Sequence, residues 1–203
     1  TGKTTLLKKI IHSTHKKSAV VAPTGIAALN AGGVTIHSFF QLPFGTFLPV
    51  GNYPYTDQAQ RLHDQTALRK HGRMRGDKKK ILQALELLIV DEVSMLRPDV
   101  LDAMDFVLRN ARGIQRPFGG VQVLFIGDLL QLPPVVKQEE LPHLQQFYGG
   151  NFFFHAQVLQ HHKPIYIELE KIFRQQDPTF VRILNSLRNN QLNPAQLEVL
   201  NAP

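Results

Sequence analysis

The chain has 203 residues, 43% of them apolar, which suits one well-buried domain with room for an insert and excludes fibrous and disordered classes. With no cysteine it can build neither a disulfide framework nor a thiolate metal site, and it holds no apolar run of the roughly 18 residues that a membrane span needs. Net charge is +7, and the stretch Arg61 to Lys80 alone holds eight Lys/Arg against two Asp, so nearly all of the excess is local.

In chain order, the first element is TGKTT. Gly2, Lys3 and Thr4 match the tail of G-x-x-x-x-G-K-[ST], a loop that cradles phosphates in backbone N–H groups, sets a Lys on the β/γ-phosphates and gives Mg²⁺ a hydroxyl. A G-K-T tripeptide alone is common, so its weight depends on the rest of the chain. The run TTLLKKIIHSTHKK puts Leu6, Leu7, Ile10 and Ile11 on one helical face. SAVVA (Ser18 to Ala22) reads as a buried strand leading to Thr24 and Gly25, which open a short helix closed by Gly32 and Gly33. N–H groups at such a helix start attract phosphate. In TIHS, Thr35, His37 and Ser38 supply donors beside Phe39 and Phe40, a combination that suits a single nucleic-acid strand, although a lone His is more often packed and a Phe pair more often core.

From Gln41 to about Ile81 the periodicity lapses. Pro43, Gly45, Pro49, Gly51 and Pro54 precede the basic run, and about 40 residues is too long for an ordinary connection, so 41–81 reads as an inserted subdomain. The basic run is either a solvated face or a contact for phosphate backbone through counterion release. LLIVD (Leu87 to Asp91) is a second buried strand, ending in Asp91 and Glu92. An Asp at a strand's carboxyl end can hold Mg²⁺ and the adjacent Glu can orient water, or the pair simply complements a helix dipole. PDVLDAMDFVLRNAR is a helix stopped by Gly113. VQVLFIG is a third strand whose exit carries Asp128 and Gln131, an amide able to hydrogen-bond a γ-phosphate. PIYIEL (Pro164 to Leu169) reads as a fourth, with Arg174 soon after it, either neutralising transition-state charge or pairing at the surface. Continuous apolar strands alternating with helices predict an α/β doubly wound, mostly parallel sheet.

Five ordered stretches, TGKTT, APTGIAALNAGGVTIHS, LLIVDEVSM, PFGGVQVLFIGDLLQLPPV and LEKIFRQ, together resemble superfamily 1 helicases of the 5′-to-3′ branch, and within it the petite integration frequency (PIF-type) helicases, relatives of RecD and TraA. The resemblance implies a RecA-like P-loop NTPase domain formed by 1–40 and 82–203, lacking its N-terminal strand and the start of its P-loop, with a small basic wedge subdomain at 41–81. It implies ATP and Mg²⁺ as cofactors: Gly2, Lys3, Thr4 and Thr5 on phosphate, Thr4 and Asp91 on the metal, Glu92 activating water, Gln131 and Arg174 at the γ-phosphate. Thr24, Gly25, Thr35 and His37 would lie along single-stranded DNA, and Arg69, Lys70, Arg73 and Arg75 would meet DNA at the insert. Expected partners are single-stranded and forked DNA, not a membrane, with the motor a monomer. The expected location is the cytoplasm of a bacterium, or the nucleus or mitochondrion of a eukaryote. Motif III departs from the family pattern in carrying Leu130 where an aromatic is usual. The chain also ends before a second RecA-like domain. Rival readings are the ATPase part of a RecD-like recombination nuclease or TraA-like relaxase, and a non-catalytic DNA-binding module.

Overall fold

In a computed structural model of the chain, which describes residues 2–54, 61–71, 76–160, 162–169 and 177–201, helix and strand alternate. Helix α1 (Lys3–Ser13) leads to β1 (Ser18–Ala22), α2 (Gly25–Ala31), β2 (Val34–Thr35) and α3 (Ile36–Phe40). Then come β3 (Thr46–Phe47), β4 (Leu62–His63), α4 (Gln65–His71), α5 (Gly76–Ala84), β5 (Leu87–Val90), α6 (Pro98–Arg112) and β6 (Gln122–Phe125). Helices α7 (Leu141–Tyr148), α8 (Gln157–Gln160), α9 (Pro178–Arg188) and α10 (Pro194–Asn201) follow. The chain divides into two units, Leu7–Ile165 and a smaller one of Thr1–Leu6 with Tyr166–Pro203.

The larger unit is built on a four-stranded parallel sheet in the order β2-β1-β5-β6. Its centre explains why LLIV is unbroken by polar residues. Leu88 and Val90 face one way, into a cluster with Phe40 of α3 and Leu101, Met104 and Leu108 of α6. Leu87 and Ile89 face the other way, against Leu7 of α1, Ala31 of α2 and Ile126. A strand covered on both faces has no solvent side on which to place a polar residue. Of the apolar face expected on α1, Leu7, Ile10 and Ile11 join this second cluster, whereas Leu6 is exposed.

The turns follow their chemistry. Thr24 caps α2 by accepting the Ala27 N–H at 3.3 Å, and Gly32 ends the helix at φ 69°. A Cβ on Gly33 would stand 2.2 Å from the Val20 carbonyl oxygen, so only glycine lets the chain turn back this close to β1. Helix α6 starts at Pro98 and stops at Gly113, φ 67°, as its sequence requires.

Within 41–81, β3 and β4 pair in parallel, Thr46 opposite Leu62 and Phe47 opposite His63. Leu42, Phe47 and Leu68 are buried in the same cluster as α6. Among the described residues, one expected strand does not form. Residues 163–169 form no ladder, and Ile165, Tyr166 and Ile167 are 92%, 80% and 79% exposed. β-propensity records how well a residue fits a pleated, half-buried surface, and without a neighbouring strand to supply that surface the run stays solvated. In the smaller unit, Asp177 caps α9 by accepting the Thr179 N–H at 2.8 Å, and Ile183 is the buried residue of that helix.

Candidate functional site

Parallel strands end together. Register pairs Val21 with Val34 and with Val90, and Val90 with Phe125, so the residues after β1, β2, β5 and β6 emerge at one edge of the sheet. At that edge stand Thr24, Thr35 at the end of β2 itself, the Asp91–Glu92 pair and Asp128. Backbone bonds continue past the strands: Asp91 N–H donates to Val21 O (2.9 Å), Ile126 N–H to Val90 O (2.8 Å) and Val93 N–H to Ile126 O (3.0 Å). A Cβ on Gly127 would meet Val93 Cγ1 at 2.8 Å and Val93 N at 3.0 Å, so glycine brings the end of β6 directly against the turn after β5.

Asp91 is buried at this edge, and Glu92 beside it adopts φ 50°, ψ 45°, the left-handed region that a non-glycine residue enters at a cost. It precedes a 3₁₀ turn, Val93–Met95. In the loop after β6, Asp128 accepts the Leu130 N–H at 3.2 Å and the Gln131 side-chain amide at 3.3 Å, and Gln131 and Leu130 are exposed. The loop therefore presents an amide that its own carboxylate orients.

Gly2, Lys3, Thr4 and Thr5 belong to the smaller unit. Lys3, Thr4 and Thr5 form the first turn of α1, and Gly2 stands before it at φ 98°, its carbonyl accepting the Leu6 N–H at 2.9 Å. Arg174, Arg73 and Arg75 lie outside the described residues.

Of the remaining expected residues of the larger unit, Thr24 and His37 line a groove of about 700 Å³, together with Phe44, Arg61, Arg97 and Lys137 among others. Gly25 is exposed at the head of α2. Thr35 caps α3 by accepting the Ser38 N–H at 3.3 Å, which leaves its O–H able to donate. Phe39 and Phe40 are core residues, 7% and 1% exposed, which corrects their reading as strand-contacting aromatics: the helical spacing of α3 turns both inward. His37 instead stacks on Phe44, centroids 5.1 Å apart and planes 21° from parallel. Burial pushes its pKa below the ordinary histidine value, with the Arg97 charge acting in the same direction and the Asp99 charge opposing.

Arg97 is a residue of this groove that sequence reasoning passed over, as are Phe44 and Lys137. Its guanidinium pairs with Asp99 (Nε to Oδ1 3.0 Å, Nη2 to Oδ2 2.8 Å), with both Glu140 oxygens at 3.0 Å, and with Thr46 Oγ1 at 3.2 Å. One side chain thus ties β3, the start of α6 and the loop before α7 into the groove wall. Burial works against ionising Glu140, but the Lys137 N–H and Arg97 together hold its carboxyl below the ordinary range. Of the basic insert, Lys70 is exposed, while the Arg69 guanidinium stands 5.5 Å over the Phe106 ring and Lys78 Nζ 4.2 Å over that of Phe39.

Parallel strands covered on both faces, with carboxylates and capped turns at their carboxyl edge, define an α/β fold of the RecA-like class. The family model described as PIF1-like helicase matches residues 1–196, and the chain belongs to that family. It is 35% identical over 195 residues to the ATP-dependent DNA helicase PIF1 of Saccharomyces cerevisiae (strain YJM789), covering 93% of this chain and 20% of that protein. It superposes on Pif1 helicase from Bacteroides in complex with ADP-AlF3 and single-stranded DNA with a TM-score of 0.84 at 45% identity, covering 98% of this chain and 43% of the other. It also matches a structure of two coordinating Pif1 helicases at forked double-stranded DNA, with a TM-score of 0.83 at 45% identity, covering 98% and 44%. The chain therefore spans a fifth of the yeast relative and under half of the solved chains.

Proposed function

We propose that this chain is the first motor domain of an ATP-dependent 5′-to-3′ DNA helicase, which binds and hydrolyses Mg·ATP and holds single-stranded DNA. The observation that carries the proposal is the register of the sheet, which delivers Asp91, Glu92, Asp128 and Gln131 to one edge of a chain in the PIF1-like family. The donor set fits the cofactor, since the Thr4 hydroxyl and the Asp91 carboxylate are hard oxygen ligands of the kind Mg²⁺ takes alongside phosphate oxygens. A bound Mg²⁺ would neutralise charge developing on the β/γ-phosphates. Lys3 pairs with phosphate oxygens in ground and transition states alike, and Glu92 takes the proton of the attacking water. Gln131, steadied by Asp128, hydrogen-bonds the γ-phosphate, and Arg174 offsets its charge. Gly2 and Thr5 complete the phosphate loop, and Thr24, Gly25, Thr35 and His37 follow the strand.

The relatives bound to single-stranded and forked DNA support the same partners here, and residues 41–81 are read as the wedge that meets the fork. The working unit is read as a monomer, which sedimentation on a DNA fork checks: two copies per fork at limiting protein would overturn it. The decisive experiment is Glu92→Gln in the intact protein. Nucleotide binding should persist while DNA-stimulated hydrolysis falls by at least the ~10²-fold expected for loss of a general base. Near-normal turnover would remove Glu92 from that role.

A further inference from the structure

The groove wall contains an aromatic ring that the fold holds out of the core. Phe44 is 71% exposed, in a chain that buries Phe39, Phe40 and Phe47 close by in sequence. A single exposed Phe is ordinary on a protein surface; what sets this ring apart is that the fold fixes it in place on the groove. The position is built on three sides. A Cβ on Gly45 (φ 146°) would stand 2.0 Å from the Arg61 carbonyl oxygen, so glycine presses this turn against the strand β4. The Thr46 N–H then donates to that same oxygen at 3.1 Å. His63 Nε2 lies 3.2 Å from Phe44 O and donates to it. His37 backs one face of the ring in near-parallel stacking, which leaves the other face to the groove.

We propose that Phe44, backed by His37, is a base-stacking residue that takes one unpaired nucleobase of a single strand on its open face. The proposal rests on the single-strand reading above and deepens it. A flat π-face next to Arg61 suits a base joined to a phosphate backbone. The groove is also poor in net charge, because Arg97 is engaged by Asp99 and Glu140, and Lys137 Nζ lies 3.6 Å from Glu139. Affinity at this point therefore comes from stacking rather than from phosphate neutralisation, and the two have different signatures. Stacking is tolerant of base identity and carries no counterion release, whereas phosphate contacts set the salt slope.

The experiment compares the intact wild-type protein, Phe44→Ala and Phe44→Trp on oligo-dT, and on the same oligonucleotide carrying one abasic position moved stepwise along it. Phe44→Ala should weaken oligo-dT binding 5- to 150-fold, the factor corresponding to about 1–3 kcal/mol of stacking per base, with the slope of log K against log salt unchanged. Phe44→Trp should bind at least as well as wild type. At one register the abasic oligonucleotide should cost the wild type a similar factor and cost Phe44→Ala nothing further. Wild-type binding to oligo-dT that is equalled by Phe44→Ala overturns the stacking role and leaves the helicase reading standing. A loss in Phe44→Ala that is not restored in Phe44→Trp, or that changes the salt slope, assigns Phe44 to the groove's structure and also overturns the role. If the wild type fails to bind oligo-dT, the helicase reading falls and takes this inference with it.

Discussion

Glu92 occupies a conformation that costs a non-glycine residue on the order of 1–3 kcal/mol, and the backbone bonds on either side, Asp91 N–H to Val21 O and Val93 N–H to Ile126 O, leave it no other. A strained position that retains a carboxylate sets stability against function. Glu92→Gly should therefore raise the midpoint of thermal unfolding, by up to about 1 kcal/mol in stability, while lowering hydrolysis as far as Glu92→Gln does. A lower melting temperature would show that Glu92 is held by its side chain rather than strained by its backbone. The carboxylates at 91 and 92 were legible because an apolar run ended in them. Of the groove, Thr24 and His37 were legible and the rest was not. Arg97 finds Thr46 and Glu140 at separations of 51 and 43 positions, and no local pattern announces such partners. No local pattern sets Phe44 apart from the buried phenylalanines near it, and only the turn at Gly45 holds it outward.

At the level of elements, β1, β5, β6, α2 and α6 could be read because each carries its own signal: continuous β-branched and aliphatic runs, a Thr cap, a Pro start, a Gly stop. Strands β3 and β4 have two residues each and exist only through each other, so sequence offered nothing to read. PIYIEL failed for the opposite reason, having a strand's composition and no ladder. Element docking can hinge on one buried group. Asp102 of α6 accepts the N–H groups of Gln157 and Val158 at 2.9 and 3.0 Å, tying the start of α8 to α6. Burial is the main cause that pushes its pKa from 3.8 up to about 6, against those two hydrogen bonds, and the Asp105 and Asp99 charges add to it. A folded-state pKa above the unfolded value means a stabilising contribution that is complete below about pH 4 and lost as the pH rises through about 6. The wild type should thus lose on the order of 2 kcal/mol from this group between about pH 4 and 6. Asp102→Asn, which keeps an acceptor and cannot ionise, should show a shallower fall. Urea unfolding at pH 4.5 and 7 on both proteins measures it, and equal falls would exclude Asp102 as the source.

Across the whole molecule the question is where the charge goes. Six of the seven net positive charges come from Arg61 to Lys80, yet Arg69 and Lys78 already lie over aromatic rings, so the run is partly structural. Such cation–π contacts are worth about 0.5–1 kcal/mol at exposed sites. Neutralising Arg69 alone should therefore show up in stability, while neutralising Lys70 alone should show up in the salt dependence of DNA binding. Replacing Arg69, Lys70, Arg73 and Arg75 together should weaken binding with little regard to sequence and flatten the slope of log K against log salt by up to about 0.7 for each lost single-strand phosphate contact, or 0.9 for duplex. Hydrolysis at saturating DNA should hardly change, because none of the four belongs to the nucleotide motifs. If residues 41–81 meet the duplex at a fork, unwinding should fall further than single-strand binding. Salt titrations of affinity on forked and single-stranded DNA, for wild type and the fourfold variant, separate the cases. A loss confined to the fork places the insert at the junction. Superimposable titrations on both substrates would make the run a solvated face, and would leave Phe44 and the groove as the contacts of this domain with the strand.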